Sequence, residues 1–392
     1  MRVRIIALLV ILLGLTGVAY ADQVVDGRIG PGALYRIVVP TDDPNDPTDA
    51  PWNGNLLLYA HGFVSALEPV ALPPDGELLV SLFAPQGYAV AVSSFSENGW
   101  AVKDGAQRTQ QLLGIFTSKF GAPSRIYIGG GSMGGLIAIK LAEEHPNWFD
   151  GMLLACPVSG GARAQTDYLA NVRALFDLFY DPDDPANPDA HLLPGNASGV
   201  PAGVDPITQI AVPATTAMLN DPTGAALITA VTQTPVPGSS STELGQSILA
   251  ALLGHASTAP DQSPQLRGKP YFDNRGVLYT GALPPDALTF INARIDRFDA
   301  VPSVLNYQEH YYQPTGDLEI PTLTLSLSRD PVAPGFHRTL YASLVAAAGE
   351  SDHLVQRTVD RYGHCDRLSP EEIATAFRDL VLWVEHRVKP AP

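Results

Sequence analysis

Charge is scarce in this 392-residue chain. Only 16% of residues are Asp, Glu, Lys or Arg, against a usual figure of about 25%, which argues against a coiled coil or long solvated helices. Basic residues are scarcer still: 24 Lys and Arg stand against 40 Asp and Glu, for a formal charge of −16. So acidic a surface repels polyanions, and disfavours nucleic acid, acidic glycans and anionic lipid as partners. Cysteine is nearly absent, with Cys156 and Cys365 the only two. There is no internal repeat. The chain has no His-Glu-x-x-His pattern for zinc, no Gly-Lys-Ser/Thr after its glycines for phosphate, and no dinucleotide fingerprint in its required setting. An acidic, Pro-rich stretch at 41–49 lacks the spaced ligands, Gly and closing Glu of an EF-hand loop and reads as a surface loop. No metal or organic cofactor is called for.

Apolar residues are plentiful. They make up 45% of the chain, enough for a large core and too many for global disorder. The 35 glycines and 35 prolines stay below the share, roughly 25–30%, that would mark low complexity. The length suits two or three domains, or one large α/β fold with an insertion. At the N-terminus Arg2 and Arg4 precede an apolar run at 5–18 and the small-x-small sequence Ala19-Tyr20-Ala21. This pattern predicts a signal peptide over 1–21 and a secreted or periplasmic protein. The apolar run is short of the roughly 20 residues of a membrane span. No Cys stands at the cleavage point for a lipid anchor, and cleavage removes two arginines and no acid. In an oxidising compartment Cys156 and Cys365 are a candidate disulfide.

Short apolar runs at 56–59, 89–92, 126–128 and 151–154 do not alternate, as expected of strands buried on both faces of a parallel sheet. Helical stretches at 76–83, 104–116 and 135–144 separate them. This alternation predicts a doubly wound, mostly parallel α/β core. From 161 to 317 the rhythm stops and amphipathic helices take over. Tyr168, Val172, Leu175, Phe176 and Phe179 recur at helical spacing, 244–253 is apolar on more than one side, and 287–298 has Leu288, Ile291, Ile295 and Phe298 on one face. Such stripes read first as core packing. The α/β rhythm then resumes with strands at 320–327 and 354–359 and helices at 334–348 and 370–386. The predicted organisation is therefore a discontinuous core, 22–160 and 318–392, around a helical cap at 161–317.

The sharpest local signal is Gly130-x-Ser132-x-Gly134, between the strand ending at 128 and an Ala/Leu-rich helix. Its glycines allow a tight turn that holds Ser132 out of the sheet, and the Met133 NH then points beside the serine hydroxyl at a helix N-terminus. In this context the sequence resembles the α/β-hydrolase superfamily, in particular its serine esterases and lipases. The strand at 56–59 ends in His61-Gly62-Phe63, which looks like the superfamily's oxyanion loop. The resemblance implies that the Phe63 and Met133 NH groups stabilise an oxyanion, with Gly62 allowing close approach and His61 structural.

The superfamily order of nucleophile, acid and base implies His364 as base, in a loop after the last strand, and Asp330 as its orienting acid. His337, His353 and His386 lie on or beside helices, where solvated or capping roles suit them. Asp366 is a rival acid, but close along the chain to His364. Cys156 would end a strand and Cys365 follows the base, so a bond between them would tether the base loop. The two strands are not neighbours, however, and a gap of about 10 Å demands loop curvature.

The resemblance thus implies a secreted serine hydrolase of carboxylic esters, small or polymeric and apolar or aromatic. Peptidase, amidase or acyltransferase action on the same scaffold remains open. So does a non-catalytic binding protein, although no member of the triad is missing.

Overall fold

The non-alternating apolar runs become the middle of one sheet. The computed structural model describes residues 22–42, 50–180, 207–238, 240–258, 266 and 269–392. The expected leader at 1–21, most of the 41–49 loop and the Pro-rich segment at 181–188 lie outside the described residues. Two strands, β1 (Gln23–Ile29) and β2 (Ala33–Val39), form an antiparallel hairpin. After them come β3 (Asn55–Ala60), α1 (Pro74–Phe83), β4 (Ala89–Ser93), α2 (Val102–Phe120), β5 (Arg125–Gly131), α3 (Met133–Glu144) and β6 (Gly151–Ala155). The helices α4 (Gly161–Tyr180), α5 (Val212–Asn220), α6 (Pro222–Thr232), α7 (Ser241–Thr258), α8 (Pro285–Arg294) and α9 (Pro302–Tyr312) then follow without an intervening strand among the described residues. The chain closes with β7 (Thr322–Arg329), α10 (Phe336–Ala348), β8 (Leu354–Tyr362) and α11 (Pro370–His386).

The sheet order is β1-β2-β4-β3-β5-β6-β7-β8. It is parallel from β4 through to β8, and β2 joins β4 antiparallel. Period-two geometry sorts each strand's side chains between two layers. Leu56, Leu58, Ala91 and Ile128 pack with α2 and α3 on one face. Leu57, Tyr59, Val90 and Tyr127 pack with α1 and α11 on the other. The doubly wound, mostly parallel sheet expected from the runs is the observed fold class.

The closing helix starts where its sequence says it should. Ser369 accepts the Glu372 NH at 3.1 Å while the Glu372 carboxylate accepts the Ser369 NH at 2.7 Å, a reciprocal capping box ahead of Pro370. In the helical stretch between β6 and β7, Tyr168, Val172, Leu175 and Phe176 are buried, as core packing predicts. The expected helix at 287–298 is shorter. It ends at Arg294, and Ile295 is extended. Asn274 takes over the next residues: its side chain accepts the Phe298 NH at 2.7 Å and donates to the Asp296 carbonyl at 2.9 Å. His337 also departs from expectation, being fully buried rather than solvated. Its Nδ1 accepts the Gly160 NH at 3.0 Å and its Nε2 donates to Gln165 at 2.7 Å, riveting α10 to the start of α4.

Candidate active site

Ser132 sits at the turn from β5 into α3 with φ 54° and ψ −121°, a region that non-glycine residues rarely occupy. The flanking glycines are there for space. A Cβ on Gly130 would lie 2.1 Å from the Gly134 carbonyl oxygen, and one on Gly134 would lie 2.0 Å from that of Ala60. Neither clash can be relieved by turning a side chain, because both partners are backbone. The turn is anchored from β6: the Ser132 NH donates to the Ala155 carbonyl at 2.9 Å, and the Ser132 carbonyl accepts from Val158 at 3.1 Å.

Across this turn lies the loop after β3. Gly62 approaches so closely that a Cβ there would meet Ser132 Cβ at 3.3 Å. Phe63 and Ser132 line two cavities in common. Met133 is the first residue of α3, so its NH has no intrahelical acceptor. His61 points into the core, 2% exposed, stacked on Phe95 at 3.9 Å with its Nδ1 bonded to the Gly62 carbonyl at 2.7 Å. Burial lowers its pKa.

Beyond β7, Asp330 is 1% exposed. Its Oδ1 accepts the Val332 and Ala333 NH groups, both at 2.9 Å, and its Oδ2 accepts from His364 Nδ1 at 2.7 Å. Helix α4 holds this turn from outside, with Gln165 donating to the Val332 carbonyl at 2.7 Å and Tyr168 to the Pro331 carbonyl at 2.9 Å. The rival acid Asp366 pairs with Arg367 at 3.2 Å instead. His353 bonds Glu350 at 2.9 Å, away from this cluster.

The structure therefore joins Asp330 to His364 and places Ser132 and His364 on one cavity wall. It does not hydrogen-bond the imidazole to the serine. His364 Nε2 faces the Cys365 sulfur at 3.7 Å, and Cys365 also donates to the Ala155 carbonyl at 3.2 Å. Burial opposes the imidazolium of His364, but Cys365 and Asp330 outweigh it, so its pKa is well above the ordinary 6.5. Burial likewise opposes a Cys365 thiolate. The hydrogen bond with Cys156 and the His364 ring prevail, bringing the thiol down to about 6. The Cys156 thiol is pushed up, by its bond to Cys365 and then by burial.

The candidate disulfide needs correction. Both cysteines are free thiols. Strand β7 does lie between β6 and β8, but the loop after β8 folds back over it and brings the sulfurs within 4.8 Å. They stand side by side within that distance, without the roughly 2.05 Å link of a covalent bridge.

Two cavities meet at Ser132. One, of about 530 Å³, runs beneath α1 and α11 and is lined by Leu57, Leu79, Phe83, Leu153 and Ile373, with Asp75 and Asp366 the carboxyl groups on its wall. The other, of about 420 Å³, lies against α4 and α7, with Trp100, Leu169 and Leu253 on its wall. The strained strand-to-helix turn at Ser132, the parallel sheet and the helices inserted after β6 fit one architecture. The fold is that of the α/β-hydrolases.

No protein-family model matches this chain, and no curated protein sequence does. Among solved structures it is similar to feruloyl esterase B from Aspergillus oryzae, at 14% identity and TM-score 0.49, covering 94% of this chain and 82% of that one. It is also similar to an esterase from Aspergillus oryzae, at 14% identity and TM-score 0.47, over 94% and 80% of the two chains. A third is proline iminopeptidase from Mycobacterium smegmatis, at 12% identity and TM-score 0.43, over 94% and 100%. Among the described residues no helix is long and apolar enough to cross a membrane.

Proposed function

We propose that this α/β-hydrolase is a secreted or periplasmic serine esterase acting through an acyl-enzyme, with Ser132 as nucleophile, His364 as base and Asp330 as orienting acid. In this reading residues 1–21 are a removed leader, 22–160 and 318–392 are the core, and 161–317 are a cap. The observation that carries it is the 2.7 Å bond from a buried Asp330 to His364, which lines one cavity together with a serine at a strained strand-to-helix turn.

The chemistry runs as follows. His364 takes the Ser132 proton as the hydroxyl attacks the ester carbonyl, and Asp330 holds the ring by its Nδ1–H and stabilises the imidazolium. The imidazole must first bring Nε2 from the Cys365 sulfur to the serine, an adjustment of the kind apo sites make when substrate binds. The Phe63 and Met133 NH groups receive the oxyanion. His364 returns the proton to the leaving alcohol and then activates water for deacylation. An ester whose carbonyl sits at Ser132 would put its acyl and alcohol groups into the two cavities, whose apolar walls favour apolar or aromatic substituents.

A panel of p-nitrophenyl esters of rising acyl length, an aryl ester and a peptide anilide tests this reading. Ester hydrolysis is expected to dominate. An anilide cleaved faster than every ester would replace the esterase with an amidase or peptidase. The pH profile gives a second check. A base must be neutral to act, so kcat/KM is expected to fall as pH drops through a limb above the ordinary histidine value of 6.5. Cys365→Ala removes one of the groups that raise His364, so the limb should move to lower pH and activity should persist further into acid. A wild-type limb at or below pH 6.5, or one unmoved in the variant, would contradict the assignment of His364.

A further inference from the structure

The proposed mechanism uses His364 and leaves two thiols beside it, the buried Cys156 and the half-buried Cys365, without a task. Cys156 Sγ, Cys365 Sγ and a His364 ring nitrogen all lie within 4.8 Å of one another. Among the described residues this is the one cluster of His, Cys, Asp or Glu donors close enough to share a metal ion. The Cys365 sulfur and His364 Nε2 are 3.7 Å apart. Tetrahedral zinc, with Zn–S of about 2.3 Å and Zn–N of about 2.0–2.1 Å, demands an S···N edge of about 3.6 Å.

The ring is also in the correct tautomer. Asp330 accepts from Nδ1 at 2.7 Å, which makes Nε2 the nitrogen that can give up its proton to a metal and supplies the carboxylate–histidine support typical of zinc ligands. Two thiolates would neutralise a divalent cation, so the complex could stay buried at little electrostatic cost. Cys365 and His364 line the 530 Å³ cavity, which provides a route in. Thiolates and an imidazole select soft or borderline ions over magnesium and calcium.

We propose that Cys156, Cys365 and His364 form a binding site for a thiophilic divalent cation such as zinc, and that occupancy switches the hydrolase off. Binding forms two metal–sulfur bonds and one metal–nitrogen bond and releases two protons to solvent, one from Cys156 and one shared between Cys365 and His364 Nε2. It also occupies the nitrogen lone pair that Ser132 needs. The site stands on its own donors; only the loss of activity rests on the esterase reading.

The experiment uses the full chain, reduced and freed of metal, with zinc and cobalt(II) as probes. One zinc per chain is expected by equilibrium dialysis. One equivalent of cobalt should give an intense thiolate-to-metal absorption band, and zinc should protect both cysteines from alkylation in the wild-type protein. Cys156→Ser and Cys365→Ser should each weaken zinc binding by more than the roughly 10–100-fold that losing an outer-shell partner costs. Ester hydrolysis should be lost with zinc, recover with a chelator, and ignore magnesium and calcium.

No thiolate band and no protection from alkylation would overturn the site. So would zinc inhibition of equal potency in wild type and both cysteine variants. A cobalt–thiolate band in a protein that cleaves no ester even with chelator would leave the site standing and end the esterase reading instead.

Discussion

Ser132→Ala is expected to lower kcat/KM for every ester substrate by roughly 10⁴–10⁶-fold, the scale on which loss of a serine nucleophile acts. The fold should not change. Ser132 occupies φ 54° in the native turn, and alanine meets the same backbone strain there as serine. The close contacts at this turn belong to Gly130 and Gly134, which stay intact. A thermal melt within about 0.5 kcal/mol of wild type would separate lost chemistry from lost structure. Retention of more than a few per cent of activity in a folded variant would remove Ser132 from the mechanism.

Asp330→Asn is expected to cost about 10⁴-fold in kcat, for a reason specific to this turn. Oδ1 of Asp330 accepts two backbone NH groups, from Val332 and Ala333. In the variant that position must remain an oxygen, so the amide nitrogen must face His364. A donor now meets Nδ1, the ring proton moves to Nε2, and the lone pair that should accept the serine proton is gone. Stability should fall less than activity, since both backbone bonds survive. The checks are kcat on the best ester together with an NMR assignment of the His364 tautomer. A variant with near-wild-type kcat would show that Asp330 only shapes the loop.

Much of this was legible in the chain because it is local. Non-alternating apolar runs predicted the parallel strands, and the helix expected at 370–386 is α11, started by Ser369-Pro370 with Glu372. The glycines around Ser132 predicted the turn, since only they fit its backbone contacts. What was missed is long-range. β1 is the edge strand and mostly exposed, and β2, although largely buried, is interrupted by Arg36, so neither has the continuous apolar run that marks β3. The burial of His337 depends on Gly160 and Gln165, more than 170 residues away. The contact between Cys156 and Cys365 arises because the loop after β8 doubles back over β7, and nothing in either local sequence encodes that path. The orientation of His364 toward Cys365 rather than Ser132 was equally invisible, being a matter of ångströms within one loop.

The central claim is that Ser132 is a nucleophile activated by His364. Its most direct test is covalent trapping with a serine-directed fluorophosphonate, read by intact mass and peptide mapping. We predict one adduct per chain, located on Ser132, formed quickly in wild type and very slowly in His364→Ala. An adduct on another residue, or labelling of Ser132 at the same rate without His364, would contradict it.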